Sequence, residues 1–372
     1  MKILHIITDL DMGGAEMMLY RLLSRCDRHS FQPTVISLMD RGSLGDRIAD
    51  LDIPVHTLNL NPKSPSLKAI ATLLKLVRQI QPDIIQGWMY HANLAAIFTT
   101  LFYHRPCIWC IHNSLYSLEY EKKRTTAIAL ISSLLSHFIS QIIFVSQTSY
   151  LQHLDVGYNR KKSLVIPNGI DTSLFVPSPN ARKSIRKELG LSENSLLIGA
   201  IARFHPQKDH QNFLQAAALL LQNQGDRDLH FLLCGQGCDR ANLTLTQLIE
   251  KLNLTDRVHL LGQRDDIPKI MAALDIATSS SFTEALPNVI AEAMSCSVPC
   301  VVTDVGDCAK LVSNTGKIVP PKNSAALAQA WKELLNLGDE ERINLGQLAR
   351  ERIEKSFSLE IAVQKYEKLY QK

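Results

Sequence analysis

The chain of 372 residues is longer than one typical domain, so we expect two domains of similar size. Its composition, with 46% hydrophobic and 20% charged residues, is that of a globular protein and excludes a disordered or fibrous chain. The formal charge of +4 is small for this length, and the basic residues are scattered without interleaved aromatic residues, which argues against nucleic-acid binding.

Short apolar runs recur along the first half of the chain, and each indicates a β-strand. They lie at residues 2–8, 33–39, 54–60, 83–89, 107–112, 141–146 and 163–168. Most of the intervening stretches have helical spacing, as at Leu67, Ile70, Leu74 and Val77. Apolar strands that alternate with helices predict a parallel sheet buried on both faces, hence a doubly wound α/β domain.

Two features of the chain bear on the cellular compartment in which the protein acts. The chain enters its first strand at once, so we predict no secretory signal, and the apolar stretch 126–139 is shorter than the roughly 20 residues that span a bilayer. Eight cysteines, mostly inside apolar segments, suit a reducing cytosol. Cys107 and Cys110 have C-x-x-C spacing but fall in a predicted strand, so redox or zinc chemistry is the less favoured interpretation.

The alternation of apolar runs with stretches of helical spacing begins again after residues 171–180. This stretch is rich in Pro, Ser and Asn, and we interpret it as a linker. The second set of apolar runs lies at 196–203, 229–235, 258–262, 275–280, 299–304 and 316–320. They predict a second doubly wound domain. We therefore expect domains at 1–170 and 171–357, with a terminal amphipathic helix at 358–372 that could pack on either.

Ligands of open α/β sheets bind outside the carboxyl ends of the strands, so the residues just after each run are informative. Gly13 and Gly14 follow the first run and precede a helix, an arrangement whose backbone N–H groups suit phosphate. Gly235 and Gly237 follow another buried run. A plain tight turn explains either pair as well, so both interpretations stay open.

Charged residues follow two further runs. Arg203 and Lys208 come at and after the end of the run 196–203, where two cations can neutralise a diphosphate or can simply be solvated. His112 ends the run 107–112 at the expected edge of the first sheet. A structural histidine and a substrate contact both remain open for this residue.

The segment SFTEALPNVIAEAMS, residues 281–295, places two acids around a Pro-Asn step. Pro287 is favoured at the first helical position, so we expect Glu284 in a loop and Glu292 on the helix that follows. Free N–H groups at 288–290 and the positive helix end favour a phosphate between the acids. Each carboxylate can accept hydrogen bonds from two neighbouring hydroxyls, as in a sugar or a ribose diol. Two surface glutamates are the less favoured alternative, because the helix around Glu292 is apolar.

Taken together, these motifs resemble those of retaining glycosyltransferases of family 4, which have the GT-B fold. The matching positions are GGAE at 13–16, His112, PNGID at 167–171, Arg203 with Lys208, G-x-G at 235–237, and Glu284 with Glu292. The resemblance spans the chain, and the segment with the two glutamates is its most specific part. A narrower resemblance is to bacterial enzymes that build cell-surface polysaccharides or exopolysaccharides.

The resemblance implies two Rossmann-like domains that face an interdomain cleft, with the terminal helix crossing back to the N-terminal domain. It implies a nucleotide-diphosphate sugar donor, most often UDP-linked, bound mainly by the C-terminal domain without a cofactor or an obligatory metal. The acceptor would be a saccharide or a lipid-linked sugar. The expected location is the cytoplasm or the inner face of the membrane.

Carried over position by position, the resemblance assigns catalytic roles to His112, Arg203, Lys208 and Glu284. It assigns donor binding to Gly13, Gly14, Gly235, Leu286, Pro287, Asn288, Val289 and Glu292. Arg203 and Lys208 would stabilise the departing diphosphate, and Glu284 would bind the hydroxyls of the transferred sugar. Glu292 would hold the ribose diol, Gly14 would approach the donor phosphate, and the histidine would lie beside sugar and acceptor.

One position departs from the family pattern. Many relatives have glycine directly after the first glutamate, whereas this chain has Ala285. Because alanine is disfavoured at positive φ, we expect a somewhat different loop path, which leaves the identity of the sugar open.

Two alternatives to a transferase are a non-catalytic nucleotide-sugar-binding subunit and a nucleotide-sugar epimerase. The presence of Arg203, Lys208 and Glu284 disfavours the first, and the two-glutamate segment disfavours the second. Acceptor contacts are expected on loops near 60–66 and 113–124. A basic cluster at Lys122–Arg124 leaves a weak attraction to anionic membrane open, although a solvated basic face is favoured.

Overall fold

The computed structural model describes residues 1–61, 67–115, 123–222 and 228–371, without the side chains of residues 123–125. The chain forms two compact units, Met1–Gly169 with Leu359–Lys372, and Ile170–Ser358. The terminal helix therefore belongs to the first unit. The predicted loop at 60–66 falls almost wholly outside the described residues, as does most of 113–124 with the side chains of the Lys122–Arg124 cluster.

In the described residues, the sheet of the first unit has seven parallel strands in the order β3-β2-β1-β4-β5-β6-β7. The strands are β1 (Lys2–Ile7), β2 (Gln32–Ser37), β3 (Val55–Thr57), β4 (Ile84–Trp88), β5 (Cys107–Ile111), β6 (Gln141–Phe144) and β7 (Ser163–Val165). Each overlaps one of the predicted runs, and β2 begins one residue before its run, so the predicted parallel sheet is confirmed. The strand order reverses at β1, whose neighbours are β2 and β4, as in a doubly wound sheet.

Helices cover both faces of this sheet. They are α1 (Gly14–Arg25), α2 (Gly42–Ala49), α3 (Leu67–Ile80), α4 (Met89–Tyr103), α5 (Lys123–Leu135), α6 (Gln147–Asp155) and, at the end of the chain, α15 (Leu359–Tyr370). Strand β1 contributes Ile3 and Ile7 to the core beneath α1, α2 and α15, and Leu4 and Ile6 to the core beneath α3, α4 and α5. Burial on both faces explains why the strands are uninterrupted apolar runs.

The second unit repeats the plan with six parallel strands in the order β10-β9-β8-β11-β12-β13 within the described part of the chain. The strands are β8 (Leu196–Ile201), β9 (Leu229–Cys234), β10 (Val258–Leu260), β11 (Ile276–Ser279), β12 (Cys300–Thr303) and β13 (Gly316–Val319). The helices are α7 (Pro179–Glu188), α8 (His210–Gln222), α9 (Leu243–Lys251), α10 (Ile267–Ala273), α11 (Asn288–Ser295), α12 (Cys308–Val312), α13 (Ser324–Asn336) and α14 (Gly338–Ser356). The prediction of a second doubly wound sheet is thus confirmed.

A buried ion pair fixes α7 to the start of β11. Asp275 accepts hydrogen bonds from Arg182 and Arg186, both at 2.7 Å, and from the backbone N–H of Leu197 at 2.7 Å. Arg186 and Asp275 are almost fully buried. Removing one partner of such a pair leaves the other as an uncompensated buried charge, so we assign this cluster a structural role.

None of the helices in the described residues is long and apolar enough to cross a membrane. The cysteines are free thiols, and burial raises the pKa of Cys110 to about 12. Cys107 and Cys110 both lie in β5 and are buried.

Candidate functional site

Lys208 and Glu284 form an ion pair at the carboxyl edge of the second sheet. Lys208 ends a short 3-10 turn, Pro206–Lys208, that follows β8, and Glu284 lies in the loop between β11 and α11. The Lys208 Nζ donates to Glu284 Oε1 at 2.5 Å, and the two side chains are 24% and 13% exposed. Residues that are 76 positions apart are thus brought into direct contact while their charged ends remain reachable from solvent.

Two serines after β11 and a threonine of β12 hold this pair in place. Ser281 Oγ donates to Glu284 Oε1 at 2.7 Å, and Ser280 Oγ donates to the backbone oxygen of Lys208 at 2.8 Å. The carbonyl of Ser281 accepts a 2.5 Å hydrogen bond from Thr303 Oγ1 of β12. The sequence analysis did not select Ser281. The signal that could have identified it is its position three residues before Glu284 in the same loop.

A glycine after β12 supports the loop that carries Glu284. Gly306 has a φ of +55°, and a Cβ there would lie 2.2 Å from the backbone oxygen of Glu284. The N–H of Asp307 donates to the carbonyl of Ala285 at 3.0 Å. Ala285 is not among the described residues with positive φ. Alanine therefore fits this loop without the backbone strain that a positive φ would impose, which was the concern when alanine replaced the family's glycine.

The second acid, Glu292, lies within α11 and is 8% exposed, whereas Glu284 precedes the helix. The predicted division between loop and helix is therefore confirmed. Two details differ from the prediction. Pro287 is the capping residue, and the helix begins at Asn288. Ile290 N–H is not free, because the Pro287 carbonyl accepts it at 3.1 Å. Leu286 and Val289 pack on the core of the unit beside these residues.

The loop after β9 that contains Gly235 packs against the backbone of neighbouring segments of the second unit. Gly235 has a φ of +144°, and its N–H donates to the Gly262 carbonyl at 2.8 Å. A Cβ at Gly235 would lie 2.3 Å from the backbone oxygen of Ala202, directly before Arg203. These contacts favour the turn-geometry explanation that the sequence left open for Gly235. The loop fixes the backbone at Arg203, whose side chain is exposed.

In the first unit, Gly13 caps α1, and both Gly13 and Gly14 are exposed. The carboxylate of Glu16 folds back over this turn, so that a Cβ at Gly13 would lie 2.3 Å from Glu16 Oε2. Burial raises the pKa of Glu16 to about 7; backbone N–H groups at the helix start oppose the rise, and Asp9 and Asp11 add to it. The helix end predicted to contact phosphate is thus occupied by a carboxylate of the chain itself.

His112 follows β5 and contacts a buried polar and aromatic cluster. Its Nε2 lies 3.2 Å from Cys110 Sγ, which in turn lies 3.3 Å from the Tyr366 hydroxyl of α15. Its ring lies 5.5 Å from that of Trp88, and Trp88 stacks on Tyr366 at 6.0 Å.

The contacts of His112 fit two tautomers. If the Tyr366 hydroxyl donates to Sγ and the thiol donates to Nε2, the proton of the imidazole lies on Nδ1; if Nε2–H donates to Sγ and the thiol donates to the Tyr366 hydroxyl, it lies on Nε2. Nδ1 is buried and has no partner among the described residues. Burial lowers the pKa of His112 to about 3, so the ring is neutral. Sequence reasoning selected His112 but gave no signal for Cys110 or Tyr366 as its partners.

The arrangement in the second unit suits a polar, phosphate-bearing ligand. Lys208 supplies a cation, Glu284 can accept hydrogen bonds from vicinal hydroxyls, and Glu292 provides a second carboxylate on the adjacent helix. Among the described residues, no group of three or more His, Cys, Asp and Glu side chains could hold a metal ion.

Two doubly wound parallel sheets, the second with this Lys–Glu pair and a further buried glutamate at its carboxyl edge, are the features expected of a GT-B glycosyltransferase. Residues 12–174 match the family model described as Glycosyltransferase Family 4, and residues 195–337 match that described as Glycosyl transferases group 1. The chain belongs to this family. The family and fold that the sequence motifs predicted are therefore confirmed.

Individual relatives and solved structures match between half and all of the chain. It is 25% identical over 335 residues to the UDP-Gal:alpha-D-GlcNAc-diphosphoundecaprenol alpha-1,3-galactosyltransferase of Escherichia coli, which covers 88% of this chain and 84% of that protein. It is 32% identical over 189 residues to the N-acetyl-alpha-D-glucosaminyl L-malate synthase of Bacillus anthracis, 50% of this chain and 48% of that one. The crystal structure of Anabaena HepE with UDP and glucose matches with a TM-score of 0.87 and 26% identity, over 100% of this chain and 99% of that chain.

Proposed function

We propose that this member of the family is a retaining, metal-independent glycosyltransferase that moves a sugar from a UDP-sugar to a saccharide or lipid-linked acceptor. We place this reaction in the synthesis of a cell-surface polysaccharide or exopolysaccharide, in the cytoplasm. The observation that carries the proposal is the ion pair between Lys208 and Glu284, because it joins a phosphate-binding cation to a hydroxyl-binding carboxylate at one point.

Sugar transfer makes specific demands on these two groups. The bond between the anomeric carbon and the diphosphate oxygen breaks, and its electron pair leaves with the UDP. The oxygen of an acceptor hydroxyl bonds to the anomeric carbon, and one proton is released overall. Negative charge therefore grows on the diphosphate while positive charge grows on the sugar, so catalysis depends on prearranged charges around the leaving group.

The residues fit these demands in distinct roles. Lys208 and the exposed Arg203 stabilise the departing diphosphate, and Glu284 holds hydroxyls of the transferred sugar. Ser281 positions Glu284 through its 2.7 Å hydrogen bond. Glu292 binds the ribose diol from the adjacent helix. The pairing with Lys208 orients Glu284, so that it accepts hydrogen bonds from hydroxyls without first rearranging.

The donor and acceptor classes are supported by what the similar proteins are. HepE has been solved with UDP-glucose, at a TM-score of 0.85 and 26% identity to this chain. The name of the Escherichia coli relative specifies UDP-Gal and a diphosphoundecaprenol-linked acceptor. A UDP-sugar and a lipid-linked diphosphate sugar are therefore the first substrates to test.

In the first unit, we assign His112 to a substrate hydroxyl. Its Nδ1 is buried with no partner among the described residues, and its ring contacts Trp88 and Cys110, so the tautomer with the proton on Nδ1 has a donor to offer. A neutral imidazole donates one hydrogen bond and carries no charge that would repel positive charge growing on the sugar. Gly13 and Gly14 as phosphate contacts stay a prediction.

The test is a transfer assay with UDP-glucose, UDP-galactose, UDP-N-acetylglucosamine and GDP-mannose, each with a lipid-linked diphosphate sugar as acceptor. We expect UDP release and a new glycoside with one UDP-sugar, an anomeric configuration that matches the donor by NMR, and undiminished turnover in EDTA. Lys208→Met, Arg203→Ala and Glu284→Gln should each lower turnover by roughly 10²-fold or more.

Glu333→Gln is the matched control, because Glu333 forms an exposed 2.7 Å pair with Lys317 elsewhere in the same unit. Normal turnover in Lys208→Met would contradict the role of the ion pair. Inverted product configuration would contradict retention. Free epimerised UDP-sugar without acceptor would favour an epimerase, and donor binding without transfer to any acceptor would favour a non-catalytic subunit.

A further inference from the structure

The terminal helix α15 brings a tyrosine to the thiol that contacts His112. The Tyr366 hydroxyl lies 3.3 Å from Cys110 Sγ, which lies 3.2 Å from His112 Nε2. Tyr366 and Cys110 are both buried. The protons of this hydroxyl and this thiol have no further acceptor among the described residues. The three side chains therefore form one hydrogen-bonded chain that ends at the imidazole.

The ring of Trp88 packs on both ends of this chain. It stacks on Tyr366 with an interplanar angle of 15° and lies 5.5 Å from the ring of His112. Its Nε1–H donates to His5 Nδ1 at 3.2 Å, so it does not compete for the thiol or for the imidazole of His112. Packing thus sets the orientation of both rings, and hydrogen bonding sets the positions of the protons.

Burial keeps all three groups of the chain uncharged near neutral pH. It raises the pKa of Cys110 to about 12 and the pKa of Tyr366 above its ordinary value, and it lowers the pKa of His112 to about 3. Each group therefore carries one proton, as S–H, as O–H and as one ring N–H. Two hydrogen-bonding contacts must accommodate these three protons.

The number of unpaired groups differs between the two tautomers of His112. With the proton on Nδ1, the hydroxyl donates to Sγ, the thiol donates to Nε2, and only Nδ1–H is unpaired among the described residues. With the proton on Nε2, the ring donates to Sγ, and either the thiol or the hydroxyl keeps a proton without an acceptor. The lone pair of Nδ1 is then unpaired as well. Because unpaired buried polar groups are costly, the first arrangement is favoured.

We propose that Cys110 and Tyr366 are positioning residues that hold the proton of His112 on Nδ1. The thiol acts directly, because it donates to Nε2 and so excludes a proton there. The tyrosine acts through the thiol, because a group that accepts a hydrogen bond becomes a better donor. The proposal rests on the proposed sugar transfer, in which His112 contacts a substrate hydroxyl, and it names the residues that prepare Nδ1–H to donate to that hydroxyl.

Tyr370 supplies a matched control on the same helix. It is buried, and its hydroxyl donates to Gln86 Oε1 at 2.6 Å. Tyr366→Phe and Tyr370→Phe each remove one buried hydroxyl of α15, but only the first removes a hydrogen bond to Cys110. If the tyrosines served only to dock the helix, the two variants would behave alike.

The first experiment measures the tautomer by NMR of the full chain with isotope-labelled histidine. Correlations between ring protons and ring nitrogens distinguish a protonated from an unprotonated nitrogen, and the signals of His112 are those lost in His112→Gln. We expect a protonated Nδ1 in wild type and in Tyr370→Phe. In Cys110→Ala, the fraction with the proton on Nδ1 should fall to about half or less, because neither nitrogen then has a partner. Tyr366→Phe should give an intermediate fraction.

The conservative variant Cys110→Ser tests whether the hydrogen bond itself is responsible. Its hydroxyl can accept from Tyr366 and donate to Nε2 in place of the thiol, so the proton of His112 should return to Nδ1. Thermal unfolding checks that each variant is folded.

Kinetics test whether the tautomer matters to transfer. Cys110→Ala should lower kcat by about threefold or more with little change in the donor KM, because the competent tautomer is diluted and the ring loses a contact. Tyr366→Phe should lower kcat by a smaller factor, and Cys110→Ser should recover most of the loss seen in Cys110→Ala.

Three outcomes would overturn the proposal. The first is a wild type with the proton of His112 on Nε2. The second is an unchanged tautomer in Cys110→Ala, or a Tyr366→Phe spectrum that matches that of Tyr370→Phe. The third is a tautomer that changes as expected while kcat keeps its wild-type value. The NMR measurement needs neither donor nor acceptor, so a failure of the proposed transfer would be recognised separately, as absent turnover in wild type.

Discussion

Glu16 makes the stability of the first unit depend on pH. Its carboxyl group has a pKa of about 7 in the folded protein against an ordinary 4.5, because burial, and then the neighbouring Asp9 and Asp11, disfavour the charged form. The folded state holds this proton up to about pH 7, whereas the unfolded chain releases it near pH 4.5. The stability from this group is therefore complete below pH 4.5 and is lost as the pH rises through 7.

The size of the effect follows from the two pKa values. At full burial their difference corresponds to about 3 kcal/mol in the free energy of unfolding. The side chain is only partly buried, and solvent screening reduces this to about 2 kcal/mol. Glu16→Gln keeps the shape and a hydrogen-bond acceptor but stays neutral. It should therefore be more stable than wild type by about 2 kcal/mol at pH 8, and by much less at pH 5.

The assay is thermal unfolding by circular dichroism of wild type and Glu16→Gln at pH 5 and pH 8. A gain of about 2 kcal/mol raises the unfolding temperature of a unit of this size by about 4 to 8 °C. Glu360→Gln is the control, because Glu360 is an exposed acid in the first turn of α15 of the same unit. An equal gain at both pH values, or no gain beyond the control at pH 8, would refute the reasoning.

Three further predictions concern other parts of the molecule. Tyr366→Phe should lower kcat with little change in the donor KM, because it removes the hydrogen bond to Cys110, the thiol that contacts His112 Nε2; an unchanged kcat would count against a role for this contact. Asp275→Ala should lower the free energy of unfolding by about 3 to 5 kcal/mol in urea titrations, since Arg186 is left buried and unpaired. Burial, and then neighbouring cations, lower the pKa of His259 to about 4, so this group should lower stability as the pH falls from 6.5 to 4. His259→Gln should weaken that acid dependence in urea midpoints, and an unaltered dependence would contradict it.

Most of the fold could be predicted from the sequence, because both sheets are buried on two faces. Such strands are continuous apolar runs, as in Leu196–Ile201, and they alternate with helices along the chain. The separation of Glu284 from Glu292 was also predictable, since Pro287 cannot continue a strand and favours a helix start.

What the sequence could not predict depends on contacts between distant residues. The hydrogen bond between Cys110 Sγ and the Tyr366 hydroxyl joins residues 256 positions apart, and no local sequence pattern predicts it. Glu16 belongs to the GGAE motif, but the sequence does not show that its carboxylate folds back over Gly13, because that contact depends on side-chain geometry.

The central claim is that Lys208 binds the donor diphosphate and Glu284 binds the donor sugar. Isothermal titration of UDP and UDP-glucose into wild type, Lys208→Met, Glu284→Gln and the control Glu333→Gln tests it most directly. We expect Lys208→Met to weaken both ligands by about tenfold or more, and Glu284→Gln to weaken UDP-glucose while leaving UDP nearly unchanged. Equal affinities of the two variants and wild type for both ligands would contradict the claim.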